Sequence, residues 1–209
     1  RKLMFPLIEK KGITAIGILC TAPQAFLTKK KINGLADLQG LKIRVLASPL
    51  EIEPMKAAGI KPIPMPLGEV VTGLRQGVID GVSSIPVLFG KLKMDTVAKH
   101  ITTSELIYFG VPIYVSTKFW GKLPADLKTA MLEEARATEL AVIEWNNKAN
   151  AGVLAGWQKR GGTVAALPPA DQKKLMTTVN AAAAKVIASN AELSDFYRQV
   201  SAIVEKHKK

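Results

Sequence analysis

The chain has 209 residues, 48% of them hydrophobic, with 29 Lys and Arg against 17 Asp and Glu, for a formal charge of +12. That length allows one or two domains with a sizeable core. No uninterrupted apolar run approaches the roughly 18 residues a membrane helix needs, so a bilayer-spanning chain is not expected. The cationic surplus suits acidic ligands, anionic surfaces or nucleic acid. Its distribution argues against nucleic acid, because the cations fall in short runs, Lys29–Lys31 and the terminal KHKK, with no basic helix carrying interleaved aromatics.

The opening RKLMFPLIEKK has no initiator methionine and reads as the start of a processed or trimmed chain. The apolar stretch from Gly12 to Phe26 is flanked by basic residues and broken by Pro23, so it reads as interior rather than as an export signal. Cys20 within it cannot form an internal disulfide and is expected to be a small buried hydrophobe.

Alternating strand and helix signals fill the first half and predict an α/β lobe with mostly parallel strands. INGLADLQG reads as a short helix closed by Gly40. GLKIRV then reads as a strand with Leu41, Ile43 and Val45 on an apolar face and Lys42 and Arg44 on a cationic one. GIKPIPMP is extended, and GEVVTGLRQG is a helix with Glu69 in its first turn and Gly77 just past its end. VIDGVSS completes a strand–helix–strand unit. IYFGVPIYVS, Ile107 to Ser116, is a longer strand whose Pro112 marks an edge or crossing point.

From Pro124 to about Arg160, Leu127, Met131, Ala135, Val142, Trp145, Ala149 and Val153 recur at helical spacing. This predicts one long helix, with Gly152 and Gly156 as bend points and Trp145 and Trp157 as packing residues. TVAAL is a further strand, PPADQKKL opens a helix, and a last helix follows Asn190.

Catalytic and cofactor signatures are missing. Only His100 and His207 are present, GVSSIP lacks the second glycine of a nucleophile elbow, and no phosphate-binding or dinucleotide spacing occurs. No enzyme, cofactor or metal site is expected. Acid pairs such as Glu51 with Glu53 read as solvated charge.

Three segments carry a resemblance: INGLADLQGLKIRV, PMPLGEVVTGLRQGVIDG and KLPADLK. In order and spacing they resemble the solute-binding subunits of tripartite ATP-independent periplasmic (TRAP) transporters of the dicarboxylate-binding type. Those typically read Asp-Leu-x-Gly-Leu-Lys-x-Arg-Val, then Pro-Met-x-Phe-x-Glu-Val-Tyr and Val-Val-Asp-Gly-Gln-Glu-Asn-Pro.

The resemblance implies a two-lobed α/β periplasmic binding protein fold with a long lobe-spanning helix. Residues 22–110 would form the second lobe, and 1–21 with 111–209 the rest, the first lobe being incomplete because the family's begins before Arg1. It implies a periplasmic protein that captures a small organic acid and delivers it to a TRAP membrane permease. An anion-sensing regulatory module on the same scaffold is the alternative.

It also implies that Arg44, at the carboxyl end of its strand, pairs with the ligand carboxylate. Departures from the pattern fall at Ser84 for an asparagine, Leu67 for a stacking phenylalanine, Val71 for a tyrosine and Gln24 for a frequent second arginine. Arg44, Ser84, Gln24, Leu67, Ser83 and Phe89 are therefore the expected ligand-binding residues. Asp80 and Glu69 are expected to hold turns and helix starts. The departures point to a less polar or bulkier acid than a small dicarboxylate.

Overall fold

The computed structural model describes residues 3–207. In chain order it contains α1 (Met4–Glu9), β1 (Ile13–Thr28), β2 (Lys42–Val45), α2 (Pro49–Ala57), β3 (Lys61–Pro64), α3 (Val70–Gln76) and β4 (Gly81–Ser84). There follow α4 (Pro86–Lys91), β5 (His100–Ser116), α5 (Thr117–Lys122), α6 (Ala125–Lys159), β6 (Thr163–Ala166), α7 (Pro169–Ala188) and α8 (Ala191–His207). The chain divides into two compact units, and β1, β5 and α6 contribute residues to both.

The larger unit comprises Ala22–Tyr108 and Ala149–Ser189. Residues 149–189, which the sequence grouping set apart from 22–110, pack here because Trp157, Leu167, Leu175 and Val179 are buried against its strands. Its sheet runs β3-β2-β4-β1-β5-β6. β2 is parallel to both β3 and β4, and β5 to β6, while β1 is antiparallel to β4.

One apolar cluster, with Ala25, Leu27, Val82, Phe89 and Trp157, covers one face of the sheet. A second, with Phe26, Ile43, Val45, Met55 and Leu175, covers the other. A strand inside such a sandwich is buried on both sides. This corrects the expected wet face of the Arg44 strand: Ile43 and Val45 are fully buried and Arg44 is only 4% exposed.

Local signals work as expected at two points. Gly77 caps α3 in the left-handed conformation at φ 77°, donating to the carbonyls of Gly73 and Leu74. Asp80 Oδ2 accepts from Lys42 N at 2.9 Å and fixes the start of β2. INGLADLQG forms only a 3-10 turn, Leu35–Leu38, ahead of Gly40 at φ 72°. Asp171 of α7 accepts from Leu35 N at 2.8 Å and holds that turn to the unit.

The other unit takes the described residues up to Thr21, Phe109–Lys148, and those from Asn190 on. Its buried apolar side chains among the described residues are Ala15, Ile16 and Ala135. Polar groups of α6 hold β1 instead: Glu139 Oε1 accepts from Ile18 N at 2.7 Å, and Asn146 Nδ2 donates to Cys20 O at 2.9 Å. That leaves the Cys20 thiol exposed, contrary to the burial expected of it.

α6 is one continuous helix through Gly152 and Gly156. Its apolar spacing does not all face a core: Trp145, expected to pack, is 53% exposed, and Leu127 is also exposed. No described helix is long and apolar enough to cross a membrane.

Candidate functional site

The carboxyl ends of β2 and β4 lie side by side, because Ile43 pairs with Gly81 and Arg44 with Val82 in parallel register. β1 runs antiparallel, pairing Ala25 with Ser84 and Phe26 with Ser83, so Gln24 arrives at the same end of the sheet. Three stretches distant in sequence therefore meet at one edge, where open α/β sheets place ligands.

Strand alternation then sorts the side chains by face. Arg44 shares a face with Val82 and hence with Ser84, while Gln24 and Ser83 share the opposite face with Phe26. The expected residues thus form two groups.

On the first face, Arg44 Nε donates to Met65 O at 2.8 Å, the carbonyl just past β3. Among the described residues this is the only hydrogen bond of its guanidinium, so both terminal nitrogens keep their donors uncommitted. Burial pushes the guanidinium below its ordinary value, and the charge of Glu51 pulls it part of the way back. Ser84 is buried, and its hydroxyl makes no hydrogen bond among the described residues.

On the second face the polar groups are locked to one another. Ser83 Oγ donates to Gln24 Oε1 at 3.1 Å, and Gln24 Nε2 donates to Glu51 Oε1 at 2.5 Å. Leu46 N donates to Glu51 Oε2 at 2.5 Å. A carboxylate only accepts, so Glu51 dictates which end of the Gln24 amide faces it.

Glu51 is the residue sequence reasoning missed. Expected as solvated charge, it is 3% exposed in the first turn of α2, whose Ser48 cap places it directly after the β2 strand. Burial raises its carboxyl above the ordinary value, while the bonds from Leu46 and Gln24 and the charge of Arg44 act against the rise. The available signal was its position in the turn following a strand arginine, which composition alone does not mark as buried.

The remaining two expected residues, Leu67 and Phe89, pack in the first apolar cluster. Leu67 is partly buried against the first apolar cluster. Phe89 is fully buried, its ring edge-on to Trp157 at 6.4 Å between centroids. A separate depression of about 560 Å³, lined by Gly34, Gln39, Lys56, Asp171 and Lys174 among others, contains none of the expected residues.

Residues 3–190 match the family described as bacterial extracellular solute-binding protein family 7, DctP. The C4-dicarboxylate-binding periplasmic protein DctP of Rhodobacter capsulatus is 34% identical over 136 residues, which is 65% of this chain and 40% of that protein. The matched stretch thus spans well under half the length of that relative.

A TRAP periplasmic solute-binding protein from Desulfovibrio salexigens, with bound orotic acid, superimposes with a TM-score of 0.89 at 24% identity over 97% of this chain and 67% of that one. The periplasmic ectoine-binding protein of the TeaABC TRAP transporter of Halomonas elongata gives 0.92 at 20% identity, over 99% and 67%. At these identities the likeness shows the fold. With the family match extending over residues 3–190, the chain belongs to bacterial extracellular solute-binding protein family 7.

Proposed function

We propose that the protein captures a small organic acid outside the cytoplasm, in the periplasm, and delivers it to a TRAP membrane permease. The observation that carries this reading is Arg44, a residue 4% exposed whose terminal guanidinium nitrogens have no partner among the described residues. A buried cation without a bonded anion is costly, and its planar fork matches a carboxylate through two parallel bonds. Ser84, on the same face one strand away, offers a hydroxyl to the same ligand. Gln24 and Ser83 act one layer behind, by fixing Glu51.

The relatives support the class of ligand: one is named for binding C4-dicarboxylates and one fold neighbour holds orotic acid. The test is native mass spectrometry of the protein as its natural gene encodes it, followed by calorimetry with a panel of organic acids. A co-purified acid, or tight binding of one member of the panel, is expected. Neither adduct nor binding to any acid would overturn the reading.

A further inference from the structure

We infer that Met65, held between Pro64 and Pro66, is the positioning residue of the ligand site: its carbonyl takes the Arg44 Nε–H and leaves the two terminal nitrogens, as one end-on fork, for the ligand carboxylate. This rests on the reading of Arg44 as the carboxylate anchor.

A guanidinium is planar and can grip a carboxylate by two kinds of edge, one using Nε with a terminal nitrogen and one using both terminal nitrogens. Arg44 Nε already donates to Met65 O at 2.8 Å, which takes the edge containing Nε out of use. The same bond ties down the inner end of the planar group, so less rotamer freedom remains to be lost when the ligand arrives.

The carbonyl that makes this bond is itself fixed from three directions. Arg44 pairs with Ile63 and Val45 with Pro64, so Met65 is the first residue past the ladder and lies on the Arg44 face, two positions beyond Ile63. Each flanking proline locks its own φ, and the residue before a proline is kept extended. Pro66 continues extended at φ −57° and ψ 143°, and its carbonyl accepts from Glu69 N at 3.1 Å. The Met65 side chain packs against the first apolar cluster and lies over Gly73 of α3, where an added Cβ would come within 3.2 Å of both Cε and Sδ. Pro64 and Pro66 are both exposed, so ring burial does not account for them. What they supply is the backbone direction at Met65.

The experiment uses the protein encoded by the natural gene and reads the Nε bond before it reads binding. In nitrogen-edited NMR without ligand, one arginine Hε signal that disappears in Arg44→Lys is expected to exchange slowly with water. In Pro64→Ala/Pro66→Ala that exchange should be about tenfold or more faster. Calorimetry then follows with whichever organic acid the wild type binds most tightly. The double variant should bind it about tenfold more weakly. Pro62→Ala, in the same strand but not next to Met65, should stay within about twofold of wild type. Added to Arg44→Lys, which has no Nε–H to orient, the two proline changes should alter affinity by no more than about twofold.

Unchanged Hε exchange in the folded double variant overturns the inference and leaves the proposed function standing. So does an equal loss of affinity in Pro62→Ala or in the Arg44→Lys background, since either would mark a general loosening of the strand. Should the double variant fail to fold, Pro66→Ala alone decides through the same two readouts, with about threefold weaker binding expected. A wild-type protein that binds no acid overturns the anchor reading itself, whatever the Hε signal shows.

Discussion

The rings of Phe89 and Trp157 meet edge to face at 6.4 Å with an interplanar angle of 61°, and the Trp157 indole N–H reaches the Lys99 carbonyl at 2.9 Å. One aromatic from α4 and one from α6 are thereby fastened over the sheet by a contact and a hydrogen bond. Phe89→Ala should therefore cost about 3–5 kcal/mol of stability through the cavity it opens. Affinity for the bound acid should change little, as measured by denaturant unfolding and calorimetry side by side. Loss of affinity with unchanged stability would return Phe89 to the ligand site.

What could be read from the chain followed the range of each interaction. Arg44 stood out because its alternating strand and flanking Gly40 lie within one short local stretch, the one that carries the family resemblance. Gly77 was legible for the same reason, since a helix end demanding positive φ names its own residue. The Gln24–Glu51 and Ser83–Gln24 bonds join residues 27 and 59 positions apart, and no local pattern marks either pair. β1 was not recognised as a strand because it carries apolar residues on successive positions, which is what burial on both faces produces. Trp145 misled in the opposite direction: helical spacing identifies a face without stating what covers it.

Gly81 is required for close strand approach. A Cβ there would lie 2.6 Å from the Leu27 carbonyl oxygen and 2.8 Å from Ile43 Cδ1, and the first of these is backbone within the β1–β4 ladder. The ladder cannot yield without losing hydrogen bonds. Gly81→Ala is expected to cost about 1–3 kcal/mol. Each kcal/mol corresponds to about 2–4 °C in the thermal midpoint of a chain this size. A midpoint equal to wild type would show that β1 and β4 can separate at this end.

The pH dependence of stability should carry the signature of Glu51. Its carboxyl is raised above the ordinary 4.5, first of all by burial. A raised group prefers its proton in the fold, so its contribution is complete below the ordinary value and is lost as pH climbs through the raised one. The window therefore opens near 4.5 and extends upward. Across that window the stability of Glu51→Gln should gain on wild type as pH rises, then run parallel to it. Denaturant unfolding of both proteins from about pH 4 to pH 8 reads the difference directly. Curves parallel from the start would place the Glu51 carboxyl in an ordinary solvated state.

Arg44→Lys separates charge from geometry. Lysine keeps the positive charge but loses both the Nε–H that meets the Met65 carbonyl and the planar pair of terminal donors. Folding should survive, because Ile43 and Val45 on either side remain fully buried in the second apolar cluster and the β2 pairings use backbone groups. Binding should not. Losing the planar, two-bond fork to a desolvated carboxylate is expected to cost on the order of 2 kcal/mol, roughly 30-fold in affinity. The variant is first shown to be folded by its unfolding transition, then titrated with whichever acid the wild type binds most tightly. Wild-type affinity would mean that a buried charge at the end of β2, and not the forked geometry of its guanidinium, is all the ligand requires.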